Sequence, residues 1–291
     1  MVHHVTLSRY LLVFALVGAG CASHRSGTAS VQTPSSNLAK GSGFAATLES
    51  SDERLKAALT LLAVMPTADV HRQVAMEYRR LRVLDHAQEH FAAAVKLNPK
   101  DAVSRDGMAR IWRDWGFPNK ALPEARRAVA DMPRSATTAN TLGTILQALG
   151  KFDDAKRWYW RAVALDANAW YALNNLCYAE IMTRQPYAIA MCQRAVAAAP
   201  DSATARNNMA LAHAASGDLD GARTWFRRAT NAATAEYNYG IVMMSERKYR
   251  DAQEAFRSAL LSDPDSTLAA ARARQARLAA DAEEHNSDHH H

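Results

Sequence analysis

From Ala68 onward, the same small, apolar and aromatic residues return to the same places every 34 residues. The spacing is clearest in Ala87-x3-Phe91-x2-Ala94-x4-Pro99, then Ala121-x3-Ala125-x2-Ala128-x4-Pro133, then Ala155-x3-Tyr159-x2-Ala162. A further copy, Ala252-x3-Phe256-x2-Ala259-x4-Pro264, falls near the end. A fixed period of this length marks a repeat array in which each unit is a pair of antiparallel helices with small residues where the helices touch. Such a unit cannot bury its own apolar face, so neighbouring units must stack.

Three units stand in register: Ala68–Asp101, Ala102–Ser135 and Ala136–Ala169. The third carries the fullest signature, with Leu142-Gly143 in its first helix, Gly150 and Phe152 at its turn, and Ala155, Tyr159 and Ala162 in its second helix. Small residues let two helices approach, and the aromatic fills the space beneath them. A fourth unit, Trp170–Ser202, has Leu176-Cys177 at the Leu-Gly position and a tightened turn at Arg184-Gln185-Pro186. The fifth starts near Ala203 and turns at Gly217; it is shortened, because Tyr239-Gly240 arrives early. The sixth runs Ala233–Ser266. The array thus occupies 68–266, with an N-terminal capping helix in 51–67, a C-terminal capping helix in 267–282 and a disordered tail in 283–291. A polar outer face suits a terminal cap that shields the last apolar surface.

This signature resembles the tetratricopeptide (TPR) repeat. The resemblance implies an all-α fold, a TPR α-solenoid of about six helix-turn-helix repeats forming a right-handed superhelix, whose concave wall serves as a binding surface.

Residues 1–20 do not belong to the repeats. His3, His4 and Arg9 precede the apolar run Tyr10–Val17, and Gly18-Ala19-Gly20-Cys21 follows it. The run is too short for a permanent membrane-spanning helix. The pattern resembles a bacterial lipoprotein signal peptide cleaved before Cys21, which implies a diacylglycerol on that thiol. It departs from the usual motif at Gly18, where Leu or a similar residue is customary. Ala22 in place of Asp implies the outer membrane, at its periplasmic face, and residues 21–50, rich in Ser, Gly and Thr, read as a flexible tether. With Cys21 lipidated, Cys177 and Cys192 remain. Both lie in the fourth unit, and an oxidising periplasm makes a bond between them reasonable, against the reading of two buried thiols acting as small apolar residues.

His86-Ala87-Gln88-Glu89-His90 matches the H-x-x-E-H pattern of inverted zinc metallopeptidases. Ala87 and Phe91 are the inward signature residues there, so His86, Glu89 and His90 are expected largely on the solvated side, with no third ligand. No phosphate loop, dinucleotide turn or nucleophile elbow is present in the sequence. No catalytic residue, metal site or cofactor is therefore expected, and His289–His291 carry no functional weight. The net charge of +6 and pI near 9.3 are spread over helix faces mixed with acids. That distribution argues against nucleic acid as a partner.

In a TPR array the first helix of each unit lines the concave wall. Those positions here hold Arg72, Arg79, Arg80, Arg110 and Arg113, interrupted by Asp69, Asp106 and Asp114; then Asn140, Asn174 and Asn207; then Tyr178, Ile181, Met182, Leu211, Tyr237, Ile241 and Met244. The expected groove is basic at its N-terminal end, amide-lined in the middle and apolar toward its C-terminal end, and suits an extended peptide. Asn offers a donor and an acceptor to any peptide backbone. Tyr and Met accept apolar side chains with little shape demand. An exported lipoprotein built of such repeats resembles the pilotin and pilus-assembly lipoproteins of type IV and Tad pilus systems. That implies a non-catalytic scaffold, tied to the membrane by its lipid, whose partners are secretin or other pilus-machine subunits. The alternative is a periplasmic adaptor for a protease or cell-wall enzyme.

Overall fold

The computed structural model describes residues 51–288, with side chains described to His285. The expected signal peptide, Cys21, the expected tether and His289–His291 lie outside the described residues. All regular structure among the described residues is helical, in two compact units, 51–183 and 184–288.

The first unit holds α1 (Glu53–Val64), α2 (Ala68–Arg80), α3 (Leu84–Leu97), α4 (Ala102–Asp114), α5 (Pro118–Asp131), α6 (Ala136–Ala148), α7 (Phe152–Leu165) and α8 (Trp170–Met182). Helices α2, α4 and α6 begin where the period places them, because the residues just before them, Thr67, Asp101 and Ser135, are N-caps at the same 34-residue step. Each cap side chain accepts a backbone N–H of the first turn, from Val70, Ser104 and Thr138 respectively. The turns repeat as well: Arg82, Gly116, Gly150 and Arg184 all have positive φ. At Gly150 this left-handed helix exit carries no Cβ penalty, whereas Arg82 and Arg184 adopt it against their preference.

Each helix packs on the next along the chain. Phe91 is buried on α3 together with Ala87 and Ala94, and Tyr159 on α7 together with Ala155 and Ala162. A Cβ built on Gly143 would lie 2.5 Å from the Tyr159 ring, and one on Gly107 would lie 2.5 Å from the Phe91 ring. Helix α1 closes the end of this core by burying Leu55 and Ala58 against Val74, Ala75 and Tyr78. Its N-cap Asp52 also accepts from Arg80 at 2.6 Å.

The second unit holds α9 (Ala188–Ala198), α10 (Ala203–Ala215), α11 (Leu219–Ala229), α12 (Ala232–Ser245), α13 (Tyr249–Ser262) and α14 (Thr267–Asp288), and again each helix packs on its successor. Phe226, Phe256 and Met243 fill its core. The sixth repeat starts at Ala232, one residue before the expected Ala233, because the Asn231 side chain caps the Thr234 N–H at 2.9 Å. The fifth repeat is short because α11 has 11 residues where α7 has 14.

Two expectations need correction at the C-terminus. The cap helix does not end at residue 282, and 283–288 is not a disordered tail: α14 continues to Asp288. The added turn is held by Glu283, 3.3 Å from Arg247, and by Glu284, paired with Arg250 of α13.

Candidate functional site

In the first unit, successive first helices touch one another, α2 with α4, α4 with α6 and α6 with α8, in addition to their hairpin partners. These four helices therefore form the inner wall, and α3, α5 and α7 form the outer one. Polar contacts run across the inner wall from repeat to repeat. Arg113 donates to the Thr144 hydroxyl at 2.7 Å, Asn175 donates to Asn140 Oδ1 at 2.9 Å, and the Thr137 and Tyr171 hydroxyls are 3.5 Å apart.

These ties redistribute the five arginines named from sequence. Arg72 joins Asp101, a buried carboxylate, at 2.8 Å and Asp69 at 2.6 Å, so it fastens α2 to the cap of α4. Arg80 is spent on Asp52 and Glu77 and secures α1 rather than facing the wall. Arg110 pairs with Asp106 at 2.7 Å, and Arg113 with Asp114 at 2.7 Å. Arg79 alone of the five has no hydrogen bond or ion pair to another described residue. Burial first, then repulsion from Arg110, lowers its pKa, although a guanidinium remains charged at any physiological pH. Beside it lies a second unsatisfied group: Asp106 is 7% exposed, its Oδ2 accepts from Arg110, and its Oδ1 is buried without a partner. The basic end of the wall therefore contains a cation that Asp106 and Asp114 favour only through space, with no hydrogen bond to either, and an orphaned acceptor within one electrostatic cluster.

The remaining groove positions divide by burial. Tyr178 and Met182 are half-buried on α8, and burial raises the Tyr178 phenol above its ordinary pKa. Asn174 is 7% exposed, and Ile181 is buried too. In the second unit Leu211 and Ile241 retain only 3% and 4% exposure, so they are core residues and not contacts for a partner. Tyr237 on α12 packs on Phe256 of α13 at 5.5 Å between ring centroids. Tyr237, Asn207 and Met244 are half-buried; the Tyr237 hydroxyl and Asn207 Oδ1 are buried without partners. Cys177 and Cys192 are each fully buried and disulfide-bonded.

Sequence reasoning missed two features. Glu236, in α12, is buried and held by two arginines of α11: Arg223 at 2.8 Å and Arg227 at 2.7 Å. Burial opposes its ionisation, but the arginine hydrogen bonds outweigh that effect and hold the carboxyl below the ordinary carboxylate range. The second feature is at the H-x-x-E-H segment. Only Glu89 faces solvent; His86 and His90 are half-buried, at 5.0 and 5.6 Å from the Tyr78 ring, because α3 turns them toward α2 rather than outward. No group of three or more His, Cys, Asp or Glu able to hold a metal occurs among the described residues. Nor is any described helix long and apolar enough to cross a membrane.

A tetratricopeptide-repeat family model matches residues 135–165 and 202–233, which cover most of repeats three and five. No curated protein matches the chain. Among solved structures, the Cut9–Hcn1 hetero-tetramer of the APC/C is similar, with a TM-score of 0.63 at 19% identity over 79% of this chain. The chain spans just under half of that protein, 47% of its length. PilW, described as a widely conserved type IV pilus biogenesis factor, gives a TM-score of 0.61 at 22% identity, covering 69% of this chain and 95% of PilW. The pilF protein of Pseudomonas aeruginosa gives 0.57 at 16% identity, covering 72% and 96%. Period, caps, helix order and these likenesses agree that the fold is that of a tetratricopeptide-repeat solenoid.

Proposed function

We propose that the protein is a non-catalytic scaffold that binds an extended segment of a protein partner along the inner wall of its repeats. The observation that carries this reading is Arg79, a half-buried guanidinium with no carboxylate in hydrogen-bonding contact, near the orphaned Asp106 Oδ1. An acidic group of a bound chain satisfies the first and a backbone N–H satisfies the second, so a peptide supplies both from one strand. TPR solenoids are interaction folds, which supports the same conclusion.

The proposal extends to place and system. Cys21 is the lipidation site, the lipid holds the repeats at the periplasmic face of the outer membrane, and the partner is a secretin or another subunit of a pilus or secretion machine. Support comes from the Gly18-Ala19-Gly20-Cys21 segment and from the likeness to PilW and pilF over almost their whole lengths. In the native host, labelled palmitate is expected to enter the wild type and not Cys21→Ser. Loss of the gene is expected to reduce surface pili and secretin multimers. Normal pili and multimers, with an envelope protease or cell-wall enzyme recovered as the crosslinked partner, would instead establish an adaptor role.

A further inference from the structure

We propose that His71 and His90 form a two-imidazole binding site for a divalent transition-metal ion of the zinc class. The two residues come from different helices of the first repeat, α2 and α3, and are 19 positions apart. Their Nδ1 atoms face each other at 3.0 Å, with ring centroids 5.3 Å apart. A contact of this kind between neutral imidazoles requires one ring to carry its proton on Nδ1 and the other to present a bare lone pair. Moving the donor ring to its Nε2–H tautomer leaves two bare Nδ1 atoms facing each other, with no net change in protons, and a turn of each ring then aims both lone pairs at one ion beside the line between them.

The span suits a metal. Zinc–nitrogen bonds of about 2.0–2.1 Å at a tetrahedral angle separate two nitrogens by roughly 3.4 Å, so each ring has to turn by roughly 35° while the two nitrogens part by only a few tenths of an ångström. The site is also held in place. Tyr78, 2% exposed, stacks on the His90 ring at 5.6 Å and an interplanar angle of 19°, and α2 and α3 are a packed hairpin. His71 and His90 are both half-buried, so an ion can enter and keep solvent, or a partner's side chain, as its remaining ligands. The pair differs from the one suggested by the H-x-x-E-H spacing, which would use His86 with His90. His86 lies on the Tyr78 ring at 5.0 Å and serves as the control. A bound ion would bridge the two helices of the first repeat, and protons compete for the same lone pairs, so affinity falls on acidification.

The test uses the full chain with His3, His4 and His289–His291 replaced by alanine, titrated with zinc alone in a calorimeter at neutral pH. One equivalent of zinc is expected to bind, His71→Asn and His90→Asn are each expected to weaken binding at least tenfold, and His86→Asn is expected to leave it unchanged. Circular dichroism confirms that each variant is folded. If a variant does not fold, zinc-edge absorption on the loaded parent chain decides, with two imidazole nitrogens expected in the shell. Absence of zinc binding by the parent, binding that survives His71→Asn, or loss in His86→Asn equal to that in His90→Asn would overturn the assignment.

Discussion

Replacing Tyr159 by alanine is expected to cost the first unit about 3–5 kcal/mol of stability, the range for deleting a fully buried aromatic whose site cannot collapse. Tyr159 has no exposed surface, and its ring occupies the space opposite Gly143. Its hydroxyl donates to Gln147 Oε1 at 3.0 Å, so burial of the ring and one hydrogen bond can be separated. Tyr159→Phe keeps the ring and is expected to cost only about 1 kcal/mol. Gly143→Ala tests the same contact from the other helix. The methyl would sit 2.5 Å from the ring, and overpacking of about 1–3 kcal/mol outweighs the gain of up to about 1 kcal/mol in helix propensity. Urea denaturation followed by tyrosine and tryptophan fluorescence measures all three. A Tyr159→Ala chain within 1 kcal/mol of wild type would mean that this ring does not join the two helices.

In the second unit, removing both arginines that hold Glu236 is expected to be far more damaging than removing Glu236 itself. The carboxylate side chain is 7% exposed, whereas Arg223 and Arg227 are 34% and 58% exposed. Arginines released by Glu236→Gln return to water. The double change Arg223→Ala, Arg227→Ala instead leaves a buried charge uncompensated, at a cost of about 3–5 kcal/mol. The pH dependence has a definite sign. Because the folded-state pKa of Glu236 is depressed, its contribution is present above the unfolded-state value and is lost as pH falls through the folded-state value. The wild type is therefore expected to lose stability on acidification, Glu236→Gln to lose less, and the double variant to be least stable at neutral pH. Equal stability of the two variants at neutral pH would contradict the buried geometry.

These two contacts differ in how readily the sequence discloses them. The Tyr159–Gly143 contact follows from the repeat, because the period fixes which residue faces which within a hairpin. Helix starts at Ala68, Ala102, Ala136, Trp170 and Ala203 were legible for the same reason, and the caps Thr67, Asp101 and Ser135 carry the same step. The candidate wall was less legible. Position on a first helix says that a side chain can point inward, but not whether a neighbour already holds it. Arg72, Arg80 and Arg113 find their partners in other helices, at Asp101, Asp52 and Thr144. Leu211 and Ile241 had the right register but lie under the surface. Glu236 escaped notice because α11 ends three residues earlier than α7, which moves α12, and Glu236 with it, out of the period while Arg223 and Arg227 stay in register. His71 and His90 escaped because they meet across the hairpin, whereas motif reading looks along one helix.

The central claim is that a partner lies on the inner wall, and site-specific photocrosslinking in the native host tests it most directly. Benzoylphenylalanine is placed at Arg79 or Arg110 on α2 and α4, and separately at Arg126 or Arg157, which are exposed on the outer helices α5 and α7. The inner positions are expected to trap a discrete envelope protein and the outer positions to trap none. Efficient capture from Arg126 or Arg157, with none from Arg79 or Arg110, would contradict the claim and move the binding surface to the outer wall.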